Sequence, residues 1–160
     1  MYYPEPIERL IEHLTRLPGI GRKTAARLTF FLLHSSNTYV SELSRAIADL
    51  KEKIRLCSVC FNITDVDPCR ICRDEKRARN VLCVVEEPSH IMVIESSTPG
   101  VYRYHVLHGV INPIEGIGPD DIRIPELRER LARDGITELI IATNPTIEGN
   151  TTAHYIAELT

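Results

Sequence analysis

The apolar residues in the first third of the chain recur every three or four positions, which is the period of an amphipathic helix. One such pattern runs from Ile7 to Leu14, a second from Ala25 to about His34, and a third from Val40 to Ile54. The first pattern ends at Leu17-Pro18-Gly19-Ile20-Gly21, a run that favours a turn. We therefore predict three helices, with a Pro-Gly turn between the first two.

The third helix has the cleanest pattern, because its apolar residues step by three, four, three and four positions. Thr38 or Ser41 is its predicted N-cap, since a hydroxyl side chain satisfies free N–H groups of the first turn. The second helix ends in Phe30-Phe31-Leu32-Leu33, which is apolar on all sides. We expect the third helix to face a core or a dimer partner, and the end of the second to pack against a second copy.

From residue 80 onward the apolar residues form short continuous or alternating runs, separated by helical patterns and turns. Strands are predicted at Val81–Val85, Tyr102–Leu107 and Thr137–Ala142, and helices around Ile91–Glu95, at Ile124–Asp134 and around Ala153–Ala157. Continuous apolar strands are typical of a parallel sheet that is buried on both faces. Strands alternating with helices predict a doubly wound α/β domain, with functional loops at the carboxyl ends of its strands.

Four cysteines lie between the helical and the strand-bearing halves. Cys57 and Cys60 form one pair and Cys69 and Cys72 another, each with two residues between its members, and eight residues separate the pairs. This spacing lets two hooks offer four sulfurs to one tetrahedral ion, so we predict one closed structural zinc site. Two disulfides in a secreted protein are the alternative, which a fifth cysteine and the lack of a visible signal peptide disfavour. That fifth residue, Cys83, is predicted to be a packed core thiol.

Charge is distributed unevenly along the 160 residues, whose formal net charge is −3. Residues 1–79 carry 14 Lys and Arg against 10 Asp and Glu, whereas residues 80–160 carry 5 against 12. A basic front half suits phosphates and an acidic rear half suits a basic protein or a metal, although two ordinary solvated faces are the alternative. No apolar run reaches the length of a membrane span, and we expect a cytoplasmic protein without membrane contact.

The Pro-Gly turn is a candidate phosphate site. Gly19 and Gly21 free the backbone, so that successive N–H groups and the helix dipole point at an anion before the second helix. Arg22, Lys23 and Arg27 follow on the first turns of that helix and supply charge that reads the DNA backbone and not its sequence. The stretch resembles a helix-hairpin-helix motif. An ordinary helix connection with solubilising arginines is the alternative.

The order of these parts resembles the RecR family of bacterial recombinational repair proteins. The resemblance covers the whole chain and rests on the helical hairpin, the four-cysteine knuckle, Val84–Ser89 and Ala142–Gly149. It implies a ring-forming clamp that binds DNA and, with RecO or RecF, helps to load RecA at gaps covered by single-strand binding protein. It also implies that Lys23 and Arg27, with Arg22 as a weaker candidate, line the DNA path.

The third part of the chain resembles the Toprim fold that primases and topoisomerases share. In Toprim enzymes a glutamate after the first strand and two aspartates after a later strand hold magnesium; here the glutamate falls at Glu86 and the aspartates at Asn144 and Thr146. The resemblance therefore implies a domain without catalysis. Glu86 and Glu148 are expected to be exposed and to meet a basic surface of RecO. The alternative function is a metal-dependent phosphoryl-transfer enzyme, such as a nuclease or primase fragment.

The expected fold class is multidomain α+β. We predict a helix-hairpin-helix domain at 1–55, a small four-cysteine zinc finger at 56–79 and a Toprim-like α/β domain at 80–160. RecR chains continue beyond the last helix, and Thr160 shows no Gly, Pro or capping signal, so the sequence is expected to be truncated at its C-terminus. Because the missing tail contributes to ring closure in the family, a homodimer through the hairpin regions is a safer expectation than a tetrameric ring.

Overall fold

The structure is a computed structural model and describes residues 3–159. Its contacts divide the chain into two compact units, and the boundary in the sequence lies between Lys53 and Ile54. The cysteine segment belongs to the same compact unit as the strand-bearing part, and the three domain boundaries expected from the sequence stay a prediction. Thr160, where the sequence lacks a helix stop signal, lies outside the described residues.

The first unit consists of three helices, as the apolar periodicity predicts. They are α1 (Glu5–Thr15), α2 (Arg22–His34) and α3 (Asn37–Lys53). Helices α1 and α2 pack together, and Ile11 and Ala25 are fully buried between them. The turn of the predicted hairpin therefore connects two helices in contact.

The predicted N-cap of α3 is wrong. The Ser36 hydroxyl accepts a hydrogen bond from the backbone N–H of Tyr39 at 3.2 Å. The helix begins at Asn37, before both candidates, so Thr38 and Ser41 already lie inside its first turns. A cap must directly precede the first helical residue, and Ser36 does.

The expectation that α3 belongs to a core is also wrong for this unit. None of its residues is buried, and Ile47 and Leu50 at the centre of its apolar stripe are 64% and 65% exposed. On α2, Phe31 and Leu33 are likewise 58% and 60% exposed. Within residues 3–53 no element covers Ile47 and Leu50, and the ring of Phe31 has an edge contact with Tyr39 of α3. The expected dimer contact stays a prediction.

The second unit opens with the cysteine segment and continues into a parallel sheet. A short antiparallel pair, β1 (Arg55–Leu56) and β2 (Ile63–Thr64), precedes the one-turn helix α4 (Arg70–Arg73). The sheet has the order β4-β3-β5, and both of its pairings are parallel. Its elements are β3 (Val81–Val85), α5 (Pro88–Ser97), β4 (Arg103–Val106), α6 (Ile124–Arg133), β5 (Glu138–Ala142) and α7 (Ile147–Ala157).

The central strand β3 is buried on both faces, as its continuous apolar sequence predicts. Leu82 and Val84 point into one cluster, together with Leu127 and Ile156 of helices α6 and α7. Cys83 and Val85 point into the other cluster, which contains Ile91, Tyr104 and Val106. Burial raises the pKa of Cys83 to about 11, so this thiol stays protonated and acts as a small apolar side chain.

The cysteine segment is bonded directly to the sheet. The backbone N–H of Val106 donates to the carbonyl oxygen of Cys60 at 2.9 Å. A ring nitrogen of His108 donates to the carbonyl oxygen of Phe61 at 2.6 Å. The carboxyl end of β4 therefore holds the first cysteine hook. Among residues 3–159 no helix has the length and hydropathy that crossing a membrane requires.

Candidate functional site

The four cysteines converge on one point. Their sulfur atoms all lie within 4.8 Å of one another, with Cys57 and Cys72 3.9 Å apart and Cys60 and Cys69 3.5 Å apart. A tetrahedral zinc ion with Zn–S bonds of about 2.3 Å holds its sulfurs about 3.8 Å apart, which matches these separations. Cys57, Cys60 and Cys69 are at most 3% exposed. The geometry is that of a closed structural zinc site with four thiolate ligands.

Backbone N–H donors and one carboxylate support the first cysteine hook. The N–H groups of Val59 and Cys69 point at the sulfur of Cys57, at 3.5 Å and 3.3 Å. Asp67 supports the hook from outside, because its carboxylate accepts a hydrogen bond from the backbone N–H of Ser58 at 2.7 Å, which lowers the pKa of Asp67. Asp67 is thus a turn residue that orients a ligand loop, a role typical of the shell around a metal site.

The thiols also act on each other's protonation. A hydrogen bond from Cys60 lowers the pKa of Cys69 below its ordinary range, and the same bond raises the pKa of Cys60. Four sulfurs this close cannot all be thiolates without a cation, since like charges at short range oppose ionisation. A dication replaces the shared protons, so zinc binding contributes directly to folding.

The turn between α1 and α2 presents free backbone donors. Gly19 has φ +79°, a conformation that glycine adopts without strain, and the N–H of Ile20 closes the turn on the carbonyl oxygen of Leu17 at 3.1 Å. Gly21 is the N-cap of α2 and provides no side-chain cap. The first N–H groups of α2 therefore remain available to an anion at the positive end of the helix dipole.

The three cationic residues of the turn differ in their surroundings. Arg22 donates to the carboxylate of Glu8 at 2.6 Å, and that glutamate side chain is only 8% exposed. Lys23 and Arg27 are exposed, and within residues 3–159 neither has an acidic partner. They are four residues apart and so lie on one face of α2. Two free charges and a row of free N–H groups occur together at this turn.

At the carboxyl edge of the sheet, Glu86 is bound by Asn144. One oxygen of the Glu86 carboxylate accepts the backbone N–H of Asn144, and the other accepts its side-chain amide, both at 2.7 Å. Glu86 is 7% exposed, so the expectation that it is an exposed acid is wrong. The reason is that the loop after β5 folds over the end of β3. Glu148 is half-buried.

Asn144 and Thr146, the positions at which Toprim enzymes have aspartates, both have structural roles here. Asn144 satisfies Glu86, and Thr146 is the N-cap of α7, with its hydroxyl accepting from the N–H of Gly149 at 3.0 Å. Gly149 packs closely against the backbone of Asn144, since a Cβ atom on residue 149 would lie 2.1 Å from the carbonyl oxygen of Asn144. Sequence reasoning missed the role of Gly149, although a glycine three residues after a Thr cap was a visible signal.

The edge of the sheet offers no second metal centre. Among the described residues, the four cysteines are the only group of three or more His, Cys, Asp or Glu side chains with ligand spacing. His105 is fully buried, and burial lowers its pKa to about 4 while its Nε2 bonds the carbonyl oxygen of Arg123 at 2.7 Å. It is a neutral core side chain.

Comparisons with known proteins agree with this architecture. Family models that describe the RecR helix-hairpin-helix, the RecR four-cysteine zinc finger domain and the Toprim domain match residues 7–51, 54–74 and 80–160. Curated proteins named "Recombination protein RecR" from Heliobacterium modesticaldum and Pelotomaculum thermopropionicum are each 52% identical over 99% of this chain and 79% of the relative. One of the same name from Myxococcus xanthus is 51% identical over 98% of this chain and 79% of its own length.

Proposed function

Because the chain belongs to the RecR family of recombination proteins, we propose that it is a DNA-binding clamp and adaptor of recombinational repair that performs no chemistry of its own. Its zinc knuckle has a structural role. The observation that carries the DNA-binding part is that Lys23 and Arg27, exposed beside the uncapped start of α2, have no acidic partner within the described residues.

DNA contact is proposed at the hairpin turn. Gly19 and Gly21 let the backbone approach a phosphate oxygen, which the first N–H groups of α2 receive. Lys23 and Arg27 add two charges on one helix face, whereas Arg22 is already paired with Glu8 and contributes less. These groups read phosphate and carry no base specificity. Binding therefore responds to salt far more than to sequence.

The test compares the salt dependence of DNA binding. Replacing Lys23 and Arg27 by alanine removes two phosphate contacts, and each contact adds about 0.9 to the salt slope on duplex DNA or about 0.7 on a single strand. Arg128→Ala with Arg133→Ala removes the same formal charge from exposed positions of the acidic half and is the control, in which Arg133 differs by its ion pair with Asp134 at 2.8 Å. An unchanged slope in the hairpin variant, or an equal change in the control, contradicts the proposal.

The absence of turnover is proposed from the Glu86 edge. Two-metal phosphoryl transfer needs several carboxylates that hold divalent ions. Of Glu86, Asn144 and Thr146 only Glu86 is a carboxylate, and both of its oxygens accept hydrogen bonds from Asn144. DNA cleavage and nucleotide polymerisation are assayed with Mg²⁺ and Mn²⁺. Activity that copurifies with the protein and disappears in Glu86→Ala would establish the enzyme alternative instead.

The proposed partners are RecO and RecF, which the acidic half of the chain would meet through complementary charge. Glu148 is the more accessible of the two predicted contact residues, since Glu86 is buried against Asn144. Glu86 would then influence a partner through the loop that it holds. We place the protein with its DNA, in the cytoplasm at the nucleoid.

Self-association is proposed through the helical unit, as a dimer or as part of a tetrameric ring. The α3 stripe repeats at the intervals of a two-helix seam, and its central residues Ile47 and Leu50 are about two-thirds exposed. A second copy would cover them. Ile47→Ser with Leu50→Ser is expected to convert a dimer into a monomer in sedimentation equilibrium, and an unchanged mass would reject this seam.

A further inference from the structure

Two residues of the second unit have an unusual backbone conformation. Among residues 3–159, Phe61 and His108 are the non-glycine residues with positive φ, at 61° and 58°. A bulky side chain rarely adopts this left-handed conformation and keeps it only where surrounding contacts compensate the strain. The two residues are 47 positions apart in the sequence, and yet a ring nitrogen of His108 donates to the carbonyl oxygen of Phe61 at 2.6 Å. The two strained residues therefore form one feature of the fold.

The conformation of Phe61 belongs to the first cysteine hook. Phe61 directly follows the ligand Cys60, and its N–H donates to the carbonyl oxygen of Cys57 at 3.0 Å. The N–H of Cys57 in turn donates to the carbonyl oxygen of Asn62 at 2.8 Å, which closes the hook into a tight turn. Glycine would adopt this conformation without strain. A phenylalanine in this place indicates that the ring itself has a role.

The ring of Phe61 contacts side chains of the sheet domain. It has an edge contact with the ring of His105, with centroids 5.4 Å apart, and the guanidinium carbon of Arg123 lies 5.0 Å from its centroid. A cation at this distance from an aromatic face is attracted to it. His105 is fully buried, and its Nε2 bonds the carbonyl oxygen of Arg123 at 2.7 Å. The hook therefore contacts Arg123 both directly and through His105.

His108 and Arg123 lie at the two ends of the β4–α6 segment, residues 107–123. The N–H of Arg123 donates to the carbonyl oxygen of Leu107 at 2.9 Å, so the two ends lie side by side and form the base of the segment. The carbonyl oxygen of Phe61 binds the first end, and its ring binds the second. The segment supplies none of the four cysteine ligands. Its base nevertheless depends on the shape of a ligand hook.

Beyond its base, the segment has contacts of its own. Asn112 and Ile117 exchange two backbone hydrogen bonds, both of 2.9 Å, and the N–H of Ile111 donates to the hydroxyl of Thr152 at 2.8 Å. Ile111 is 7% exposed, whereas Ile114 at the tip is 95% exposed. These contacts do not involve the hook. Loss of the hook contacts is therefore expected to loosen the base without melting the tip.

We propose that Phe61 and His108 form a latch that couples zinc binding to the conformation of the β4–α6 segment. A closed hook presents both the carbonyl oxygen and the ring of Phe61 to the base, and an open hook withdraws both together. Because coupling between two sites is reciprocal, a substitution that loosens the base also weakens zinc binding, although it touches no ligand. The inference depends neither on DNA binding nor on a protein partner.

His108→Asn tests the hydrogen bond of the latch. Asparagine tolerates positive φ, so residue 108 keeps its backbone conformation, but its shorter side chain does not reach the carbonyl oxygen of Phe61. We expect the affinity for zinc, measured by competition with a chromophoric chelator, to fall about two- to tenfold, as the loss of one ordinary hydrogen bond predicts. His154→Asn is the matched control, because His154 is an exposed histidine of the same unit on α7. Its zinc affinity is expected to equal that of the wild type.

Amide hydrogen exchange of the zinc-loaded protein locates the effect of His108→Asn. The N–H of Arg123, which closes the base, is expected to exchange about two- to tenfold faster than in the wild type. The N–H of Asn112 is expected to keep its rate, since its partner Ile117 belongs to the same segment. A purely structural bond within the hook would lower zinc affinity and leave the exchange of Arg123 unchanged.

Arg123→Gln tests the ring contact without disturbing the strained backbone. It removes the guanidinium group over Phe61, and zinc affinity is expected to fall about two- to fivefold, as an exposed cation–π contact predicts. Glu126→Gln is the matched control, because it removes the ion pair of Arg123 and leaves the guanidinium group over the ring. We expect this control to bind zinc as the wild type does.

Three outcomes overturn the latch. The first is wild-type zinc affinity in both His108→Asn and Arg123→Gln, since the base would then have no influence on the metal site. The second is a fall in zinc affinity without faster exchange of the Arg123 N–H in His108→Asn. The third is an equal acceleration of exchange at Asn112, which would mean that the substitution unfolds the whole segment.

Discussion

Replacing Asn144 by aspartate tests whether the side-chain amide of Asn144 stabilises the buried carboxylate of Glu86. The substitution turns the Nδ2 donor, 2.7 Å from Glu86 Oε2, into a carboxylate oxygen. The backbone N–H of residue 144 still faces Glu86 Oε1. Glu86 is 7% exposed, so little water separates the two carboxyl groups. We expect a loss of stability that depends on pH.

The magnitude follows from two contributions. Losing a hydrogen bond to a charged acceptor costs about 1.5–3 kcal/mol. The repulsion has a ceiling, because one carboxyl group can take up a proton instead, and protonating a carboxyl of ordinary pKa costs about 4 kcal/mol at pH 7 and about 1.5 kcal/mol at pH 5. A protonated carboxyl also donates a hydrogen bond to the other, so the variant is expected to lose at most about 4 kcal/mol at pH 7 and about 2–3 kcal/mol less at pH 5.

Urea unfolding at both pH values measures these losses. Asn144→Ala is the matched control, since it removes the same side-chain hydrogen bond without adding a charge, and its deficit is expected to be similar at pH 5 and pH 7. If the loss of unfolding free energy in Asn144→Asp is as large at pH 5 as at pH 7, the two carboxyl groups do not face each other at this edge.

Magnesium provides an independent readout. Two facing carboxylates attract a divalent cation, so millimolar Mg²⁺ is expected to raise the melting temperature of Asn144→Asp. The wild-type chain offers one carboxylate whose oxygens are both occupied, and we expect no change. Equal stabilisation of both proteins by Mg²⁺ would show that the wild-type edge already binds the ion.

Three further predictions concern the zinc site, the core and the loop. Cys69→Ala is expected to abolish zinc binding in a chromophoric chelator assay and to lower the melting temperature strongly, whereas Cys83→Ala, also buried, keeps its zinc and loses only about 1 kcal/mol. His105 has a folded pKa of about 4, below its ordinary value, so the neutral form stabilises the fold above pH 6.5 and this contribution is lost as the pH falls from 6.5 to 4. In His105→Gln the free energy of unfolding should fall less between pH 6.5 and pH 4 than in the wild type, by up to about 3 kcal/mol. Equal pH dependence of the two proteins would contradict this prediction. Gly149→Ala places a Cβ atom against the carbonyl oxygen of Asn144 and should destabilise by about 1–3 kcal/mol in chemical unfolding, which an unchanged midpoint would refute.

Local patterns predicted the elements well where one periodicity dominates. The run Val81–Val85 is apolar at every position, and it lies at the centre of the sheet with both faces covered. The four cysteines needed only their spacing, because two short hooks restrict how far apart the sulfurs can be. In both cases the chemistry of a few adjacent residues determines the outcome.

Predictions failed where the outcome depends on what covers a residue. The stripe of α3 indicates an apolar face, but periodicity carries no information on whether that face meets the same unit, and Ile47 remains exposed. Glu86 follows a strand and looked accessible, yet its burial comes from a loop that begins 58 residues later. Sequence spacing predicts the element to which a side chain belongs and the face on which it lies. Its burial depends on segments that are distant in the sequence.

The hydrogen bonds between Glu86 and Asn144 also explain why an acidic residue can remain buried at an edge where the described residues form no cluster of metal ligands. A buried carboxylate without partners is strongly unfavourable, and here two N–H donors compensate it without any ion. If a bound metal ion held the β5–α7 loop, its shape would depend on the concentration of divalent ions. The N–H donors of Asn144 are part of the chain and hold the loop at any ion concentration. The loop therefore keeps one shape at any concentration of divalent ions. We therefore expect partner binding at this edge to be insensitive to chelators that leave the zinc site loaded, and an EDTA-sensitive interaction with intact zinc content would show that an ion takes part after all.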